Sequence, residues 1–186
     1  MADLVYTANV SVDGYTEDPD GRLDWSAPDE EVFSFITDLE KPAETYLYGR
    51  RMYEAMLVWG GDTPLVDGIR EGYVRKFAEM WRAADKVVFS RTFRSVSGDR
   101  TRLEHDFDPE AVRRIKAAAA HHITIGGANL AGQALAAGLV DELRLFAVPV
   151  VLGGGTPCLP EGVRLALRLL ETRRFASGVV YLRYRL

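Results

Sequence analysis

The sequence predicts an α/β fold with a mostly parallel sheet and an antiparallel edge near its C-terminal end. Three observations carry that expectation. Short apolar, β-branched runs alternate with segments of helical periodicity through most of the chain, the pattern of parallel strands joined by crossover helices. Twice such a run ends in glycine and passes at once into a helical pattern, in YLYGRRMYEAM (46–56) and in ITIGGANL (123–130). The chain then closes in three strand-like runs, which imply antiparallel neighbours.

Taken in order, residues 4–10 (LVYTANV) read as the first strand. Residues 13–24 are turn-rich and acidic, a loop long enough to suggest a functional role. Ser26-Ala27-Pro28-Asp29 looks like a helix start, with Ser26 as the cap and acids in the first turn. Val32, Phe33, Ile36 and Leu39 follow at helical spacing. Residues 44–48 are a strand ended by Gly49, 50–57 a short helix, 58–68 a loop and 69–83 a longer helix. Residues 85–90 form a third strand and 101–105 a weaker fourth. Asp108-Pro109-Glu110 combines a cap, a first-turn proline and a first-turn acid, and opens a helix to about residue 120. Residues 122–126 are a strand, and 128–137 a helix that Gly138 closes. Strands are expected at 141–151, 164–173 and 178–185. The last alternates Val179, Tyr181, Arg183 and Arg185 against Val180, Leu182, Tyr184 and Leu186, giving two unlike faces.

Composition narrows the function. A chain of 186 residues fits one domain, 1–186, with a sizeable core. Its 47% hydrophobic and 27% charged residues are ordinary for a soluble globular protein. The net charge of −4, with no basic face, argues against nucleic acid as a partner. Cys158 is the only cysteine, so no intrachain disulfide and no CxxC site can form. The N-terminal MADLVYTANVSVDG has neither the basic segment nor the apolar core of a secretory signal. No apolar run approaches the roughly 18 residues of a membrane span. A reduced, cytoplasmic location is expected. His105, His121 and His122 form no i,i+4 pair, so no metal site is expected. Ser11 and Ser90 have no local base, and a hydrolase triad is not supported.

The glycine junctions carry the chemistry. The first N–H groups of a helix lack partners, and the helix dipole turns its positive end outward. Glycine lets a phosphate approach that backbone with no Cβ in the way. Gly126-Gly127 therefore fits an anion site, most simply a dinucleotide pyrophosphate, although two glycines can also merely make a tight turn. The G-x-G-x-x-G fingerprint is absent. Gly49 is followed by Arg50 and Arg51, cations placed where they oppose a helix dipole unless an anion sits there. Ser90-Arg91-Thr92 follows a buried strand, at the end where α/β proteins bind ligands. Each stretch also has a plain surface reading; together they point to one ligand.

The ordered set Ser11-x-Asp13-Gly14, Gly49-Arg50-Arg51-Met52-Tyr53-Glu54, Ser90-Arg91, Ile125-Gly126-Gly127 and Leu152-Gly153-Gly154-Gly155-Thr156-Pro157 resembles the dihydrofolate reductase-like fold, a three-layer sandwich. Within that fold it is most similar to the C-terminal reductase domain of the bifunctional riboflavin-biosynthesis deaminase-reductase and its stand-alone relatives. The resemblance spans nearly the whole chain and implies NADPH as cofactor. It implies that Gly49, Arg50, Arg51 and Met52, with Ser90, Arg91 and Thr92, face the 2′-phosphate and pyrophosphate. Gly126, Gly127, Ala128, Asn129 and Leu130 would cradle the pyrophosphate, and Ala8 and Asn9 would lie by the nicotinamide. Many members carry threonine where this chain has Met52, so that hydroxyl contact is open here.

The same resemblance implies hydride transfer to a C=N bond of a small nitrogen heterocycle or imine, of the ribosylamino-pyrimidine type. Glu30, at the spacing from Trp25 seen in dihydrofolate reductase, and Asp13 are the candidate catalytic acids; both also have plain roles, as a helix-start acid and a turn residue. Trp25, Gly154 and Thr156 are the candidate substrate contacts, under a loop running from Ser11 to Trp25. The chain shows no H-x-E with P-C-x-x-C, the pattern of a zinc deaminase. Dihydrofolate reductase activity on a pterin is the first alternative, and a non-catalytic NADP(H)-binding protein is the alternative of another class. The resemblance also implies a homodimer, formed through the closing strands.

Overall fold

A computed structural model describes residues 1–61, 72–98 and 100–186. In chain order these form β1 (Leu4–Ser11), β2 (Tyr15–Glu17), α1 (Glu30–Glu40), β3 (Thr45–Gly49), α2 (Arg50–Met56), α3 (Gly72–Ala83), β4 (Asp85–Phe89), β5 (Thr101–Glu104), α4 (Pro109–Ala118), β6 (Ile123–Gly126), α5 (Ala128–Ala136), β7 (Glu142–Val148), β8 (Thr156–Pro157), β9 (Arg168–Arg174) and β10 (Val180–Arg185). Short 3-10 turns cover Asp24–Ser26 and Leu57–Trp59. Eight strands form one sheet in the order β5-β4-β3-β6-β1-β7-β10-β9. The first six are mutually parallel, and β10 runs antiparallel to both β7 and β9.

The expected architecture is therefore present, with the antiparallel edge starting one strand later than the sequence suggests. α5 supplies the crossover that lets β7 join β1 in parallel, and only β10 reverses direction. Helices cover both faces. Leu4, Tyr6 and Val10 of β1 belong to a core shared with Val112 of α4 and Leu130 of α5. On the other face, Tyr46 and Tyr48 pack with Phe77 and Trp81 of α3, while Val32 of α1 packs with Phe146, Phe175 and Tyr181. Among the described residues no helix is long and apolar enough to cross a membrane.

Local chemistry explains where the boundaries differ from the reading above. α1 is capped by Asp29, whose carboxylate accepts from the Val32 N–H at 2.9 Å, and not by Ser26. Ser26 ends the 3-10 turn instead, its hydroxyl donating to the Leu23 carbonyl at 2.8 Å. The expected loop at 13–24 contains β2, which pairs antiparallel with β8. The strand expected over 141–151 stops at Val148, before Pro149, which has no N–H to give to a ladder. The one expected over 164–173 forms over Arg168–Arg174. Of the loop expected at 58–68 and the helix expected at 69–83, residues 62–71 lie outside the described residues. α4 opens as anticipated, with Asp108 as cap and Pro109 in the first turn. α5 closes through Gly138, at φ 63, whose N–H donates to Leu135.

A charged layer lies buried between α1 and the sheet. Glu40 is 3% exposed and accepts from the Thr7 hydroxyl at 3.0 Å and the Thr124 hydroxyl at 2.6 Å. Burial holds its carboxyl above the ordinary range against those hydrogen bonds. Glu142 accepts from Arg144 Nε at 2.6 Å and Arg183 Nη2 at 2.8 Å. Burial works to raise its carboxyl too, but the two guanidiniums outweigh it and leave it lowered. Paired in this way the charges are tolerated inside the fold, whereas removing one partner would strand the other.

His122, just before β6, shares this layer. Burial, reinforced by Arg144, depresses its imidazole to about 4 from the ordinary 6.5. The imidazole is then neutral in the fold while the unfolded chain takes up a proton below 6.5. Its contribution is present above that value and is lost as pH falls toward about 4. Urea unfolding of the protein is expected to show stability falling between pH 6.5 and 4, with His122→Phe flattening that slope. An unchanged slope in the variant would remove His122 from the account.

Candidate functional site

Because β1, β3, β4, β6 and β7 are parallel, their carboxyl ends share one edge of the sheet. That is the edge at which ligands bind to open parallel sheets. β3 and β6 are direct neighbours, so the two glycine junctions abut. A Cβ on Gly126 would lie 3.0 Å from both Met52 Cγ and the Tyr48 ring, so a side chain there would have to push these two back by a few tenths of an ångström. Gly127 sits at φ 96, a conformation that favours glycine, and starts α5. A Cβ on Gly49 would lie 3.7 Å from Leu130 Cβ. Neither α2 nor α5 has a side-chain cap. The first N–H groups of α5, on Ala128, Asn129 and Leu130, thus have no side-chain cap, the kind of helix start at which an anion can bind.

Three arginines stand at the same edge. Arg50 pairs with Glu54 at 3.5 Å, Arg51 with Glu17 at 3.1 Å and Arg91 with Asp106 at 2.6 Å. The three guanidiniums are 46%, 69% and 82% exposed, so these pairs hold them weakly and leave them free to turn to a multiply charged anion. The Ser90 hydroxyl accepts from the N–H groups of Thr92 and Phe93 at 3.3 and 3.1 Å, which shapes the turn carrying Arg91.

A second group of contacts closes the edge over β1. Asp13 accepts from the N–H groups of Leu152 and Gly153 at 3.1 and 2.7 Å, fastening the glycine-rich loop to the end of β1. The Ser11 hydroxyl, followed by those N–H groups, holds its carboxyl down at about 2. A carboxylate so firmly ionised suits an anchor and is a poor proton donor at neutral pH. Glu17 of β2 accepts from Arg51 and also from the Thr156 hydroxyl at 2.7 Å, so the β2–β8 ribbon links the arginine edge to the glycine loop. A Cβ on Gly154 would lie 3.6 Å from Pro19, which places that residue against the 13–24 segment too.

Beside this edge lies a cavity of about 180 Å³. Asn9, Ser26, Asp29, Val32, Phe146 and Ser177 are among the residues that line it. Asn9 donates from Nδ2 to the Ser26 carbonyl at 3.1 Å and pairs across the sheet with Phe146. Ala8 turns to the opposite face and packs against the α4/α5 core. Glu30, the candidate acid, is exposed and is not among the lining residues; its neighbour Asp29 is. Trp25 lies in the 3-10 turn beside the cavity, its indole N–H donating to the Arg22 carbonyl at 3.2 Å. Cys158 is buried beneath Tyr6, and burial pushes its thiol up to about 11, far from a nucleophilic thiolate.

The residues brought together at the strand ends include Asn9, Gly49 to Met52, Ser90 to Thr92 and Gly126 to Leu130. Glu17, Asp29, Phe146 and Ser177 join them without having been singled out from sequence. Asp29 had a signal, as an acid following proline at a helix start. Phe146 and Ser177 had none, because a strand residue and a turn residue reach the cavity only through long-range pairing.

Comparison with known proteins fits this geometry. The chain is 33% identical over 186 residues to the uncharacterized protein YyaP of Bacillus subtilis (strain 168), covering 97% of this chain and 93% of that protein. Its fold matches the structure of a protein provisionally assigned to riboflavin biosynthesis from Shewanella sp. PV-4, with a TM-score of 0.75, 22% identity and coverage of 100% and 98%. It also matches a diaminohydroxyphosphoribosylaminopyrimidine deaminase/5-amino-6-(5-phosphoribosylamino)uracil reductase from Thermotoga maritima, with a TM-score of 0.65 and 13% identity, over 99% of this chain and 56% of that one. The model of the RibD C-terminal domain matches residues 2–181, and the chain belongs to that family.

Proposed function

We propose that this protein is an NADPH-dependent reductase that transfers hydride to a C=N bond of a small nitrogen heterocycle or imine. The observation that carries the reading is the convergence at one sheet edge of the uncapped glycine start of α5 with Arg50, Arg51 and Arg91. That arrangement suits the separated phosphates of NADPH: α5 for the pyrophosphate, the arginines for the 2′-phosphate. When bound, NADPH supplies the hydride from its nicotinamide. The chain's own tasks are to hold the acceptor ring beside Asn9, to exclude water and to hold a proton near the ring nitrogen.

The cavity beside Asn9 supports a monocyclic acceptor. At about 180 Å³ it is close to the roughly 150 Å³ that accommodates benzene in an engineered protein cavity. Phe146 offers that ring an apolar contact, and Asp29, which lines the cavity, offers a carboxylate to pair with its N–H edge. The Thermotoga neighbour's name refers to a uracil bearing a phosphoribosylamino group, a substrate of this ring size. A pterin would need more room, and in the pterin reading the acid is Glu30. Homodimer formation through the β9–β10 edge and a cytoplasmic location complete the proposal, for one domain spanning residues 1–186.

One pair of variants separates the two substrate readings. Asparagine caps helices about as well as aspartate, so Asp29→Asn keeps α1 intact while removing the charge. Asp29→Asn is expected to lower turnover of a monocyclic aminopyrimidine imine about a hundredfold, the lower range for loss of a general acid, with NADPH affinity unchanged. Glu30→Gln is expected to leave that turnover intact. If Glu30→Gln abolishes reduction of dihydropterin while Asp29→Asn does not, the pterin reading replaces the first. Tight NADPH binding with no turnover on either ring would identify a non-catalytic binding protein.

A further inference from the structure

We infer that Glu31 is a positioning residue: its carboxylate holds the β9–β10 turn against the first turn of α1 and so sets the width of the ring cavity. The identity of the ligand rests on the reductase reading, but the clamp does not. Glu31 accepts from Arg173 Nη2 at 3.1 Å through one oxygen and from the Ala176 N–H at 3.2 Å through the other. One carboxylate thus grips the hairpin by a side chain and by its backbone. The Arg173 guanidinium also lies 4.8 Å from the ring centroids of both Phe35 on α1 and Phe175 at the turn, bridging the same two elements.

Phe175 and Val179, on either side of the turn, are buried with Val32, Phe146 and Tyr181, so what Glu31 adds is the placement of the exposed tip, Ala176 and Ser177. The turn's own hydrogen bonds run from Phe175 to Val179 and from Gly178 to Phe175, and fix its shape without fixing its place. β9, leading into it, is exposed along its whole length and is the edge strand of the sheet. Yet Ser177 and Val179 line the cavity, as do Pro28, Asp29 and Val32 from the other side of the clamp. Loosening Glu31 would therefore widen the cavity and weaken contact with any ring inside it. The arginine edge, built on α2, α5 and the end of β4, would be untouched.

The test uses 2,4-diaminopyrimidine as a monocyclic probe, titrated calorimetrically into the full chain, with NADPH titrated separately. Glu31→Ala is expected to weaken the probe about tenfold, and Glu31→Gln, which keeps an oxygen for the Ala176 N–H, about threefold. Ser177→Trp, at an exposed turn position, is expected to block the probe by filling the cavity. Hydrogen exchange at residues 176–179 is expected to quicken in Glu31→Ala, and NADPH affinity to stay as in the wild type in both Glu31 variants. Undiminished probe binding in Glu31→Ala and Ser177→Trp overturns the inference, as does a wild-type protein that does not bind the probe. Failure of the wild type to bind NADPH overturns the reductase reading alone, because probe binding and exchange still report on the clamp.

Discussion

Replacing Arg50 and Arg91 together by alanine is expected to raise the dissociation constant for NADPH about a hundredfold and that for NADH less than about threefold. Two lost charge-assisted hydrogen bonds, at roughly 1.5 kcal/mol or more each, give that factor. Only NADPH carries a 2′-phosphate, so the loss should be selective. The fold should not suffer. Arg50 and Arg91 meet Glu54 and Asp106 only in exposed pairs, and such pairs contribute between about 0 and 1 kcal/mol. Equal losses for both cofactors would remove the arginines from the 2′-phosphate and leave them as surface ion pairs. The thermal midpoint of the double variant controls for unfolding.

The second large effect is expected at Gly155. It sits at φ 126, and a Cβ there would lie 1.9 Å from the Glu17 carbonyl oxygen and 2.9 Å from the Asp18 carbonyl carbon. These are backbone atoms that no rotamer change can move. Gly155→Ala must therefore separate β2 from β8, which meet through only two registered pairs. That local opening is the cheapest relief, so global stability should fall by only about 1–3 kcal/mol, while hydrogen-exchange protection across residues 15–18 and 155–158 collapses by at least about tenfold. Glu17 would then lose Thr156 and release Arg51, uncoupling the glycine loop from the arginine edge. Native exchange rates in that ribbon would show that the backbone can yield elsewhere.

Much of this arrangement was legible in the chain itself. The junctions at Gly49 and Gly126-Gly127 were readable because helix-start physics demands a partner for uncapped N–H groups, and the sequence places glycine and arginine there. Strand alternation and the cap at Asp108-Pro109-Glu110 were equally local signals. The β2–β8 ribbon was not legible: it joins three residues to two across about 140 positions of chain, too short to show any periodicity. Glu40 and Arg144 gave no hint of burial, since a charged side chain is buried only when partners such as Thr7, Thr124 and Glu142 come from distant strands. Asp29 and Glu30 differ by one residue of helix register, and the sequence did not show that Asp29 is the one that captures the Val32 N–H. Ser177 reaches the cavity because Phe175 and Val179, on either side of it, are buried against Val32 and Phe146 from distant elements.

The most direct test of the central claim is a titration of the wild-type protein with NADPH and with NADH, followed by tryptophan fluorescence. Trp25 lies in the turn beside the cavity and serves as the reporter. The account predicts saturable binding of NADPH at least about tenfold tighter than that of NADH, from at least one charge-assisted contact to the 2′-phosphate. Binding of neither cofactor, or equal affinity for both, would contradict it and reduce the glycines at 126 and 127 to a tight turn between a strand and a helix.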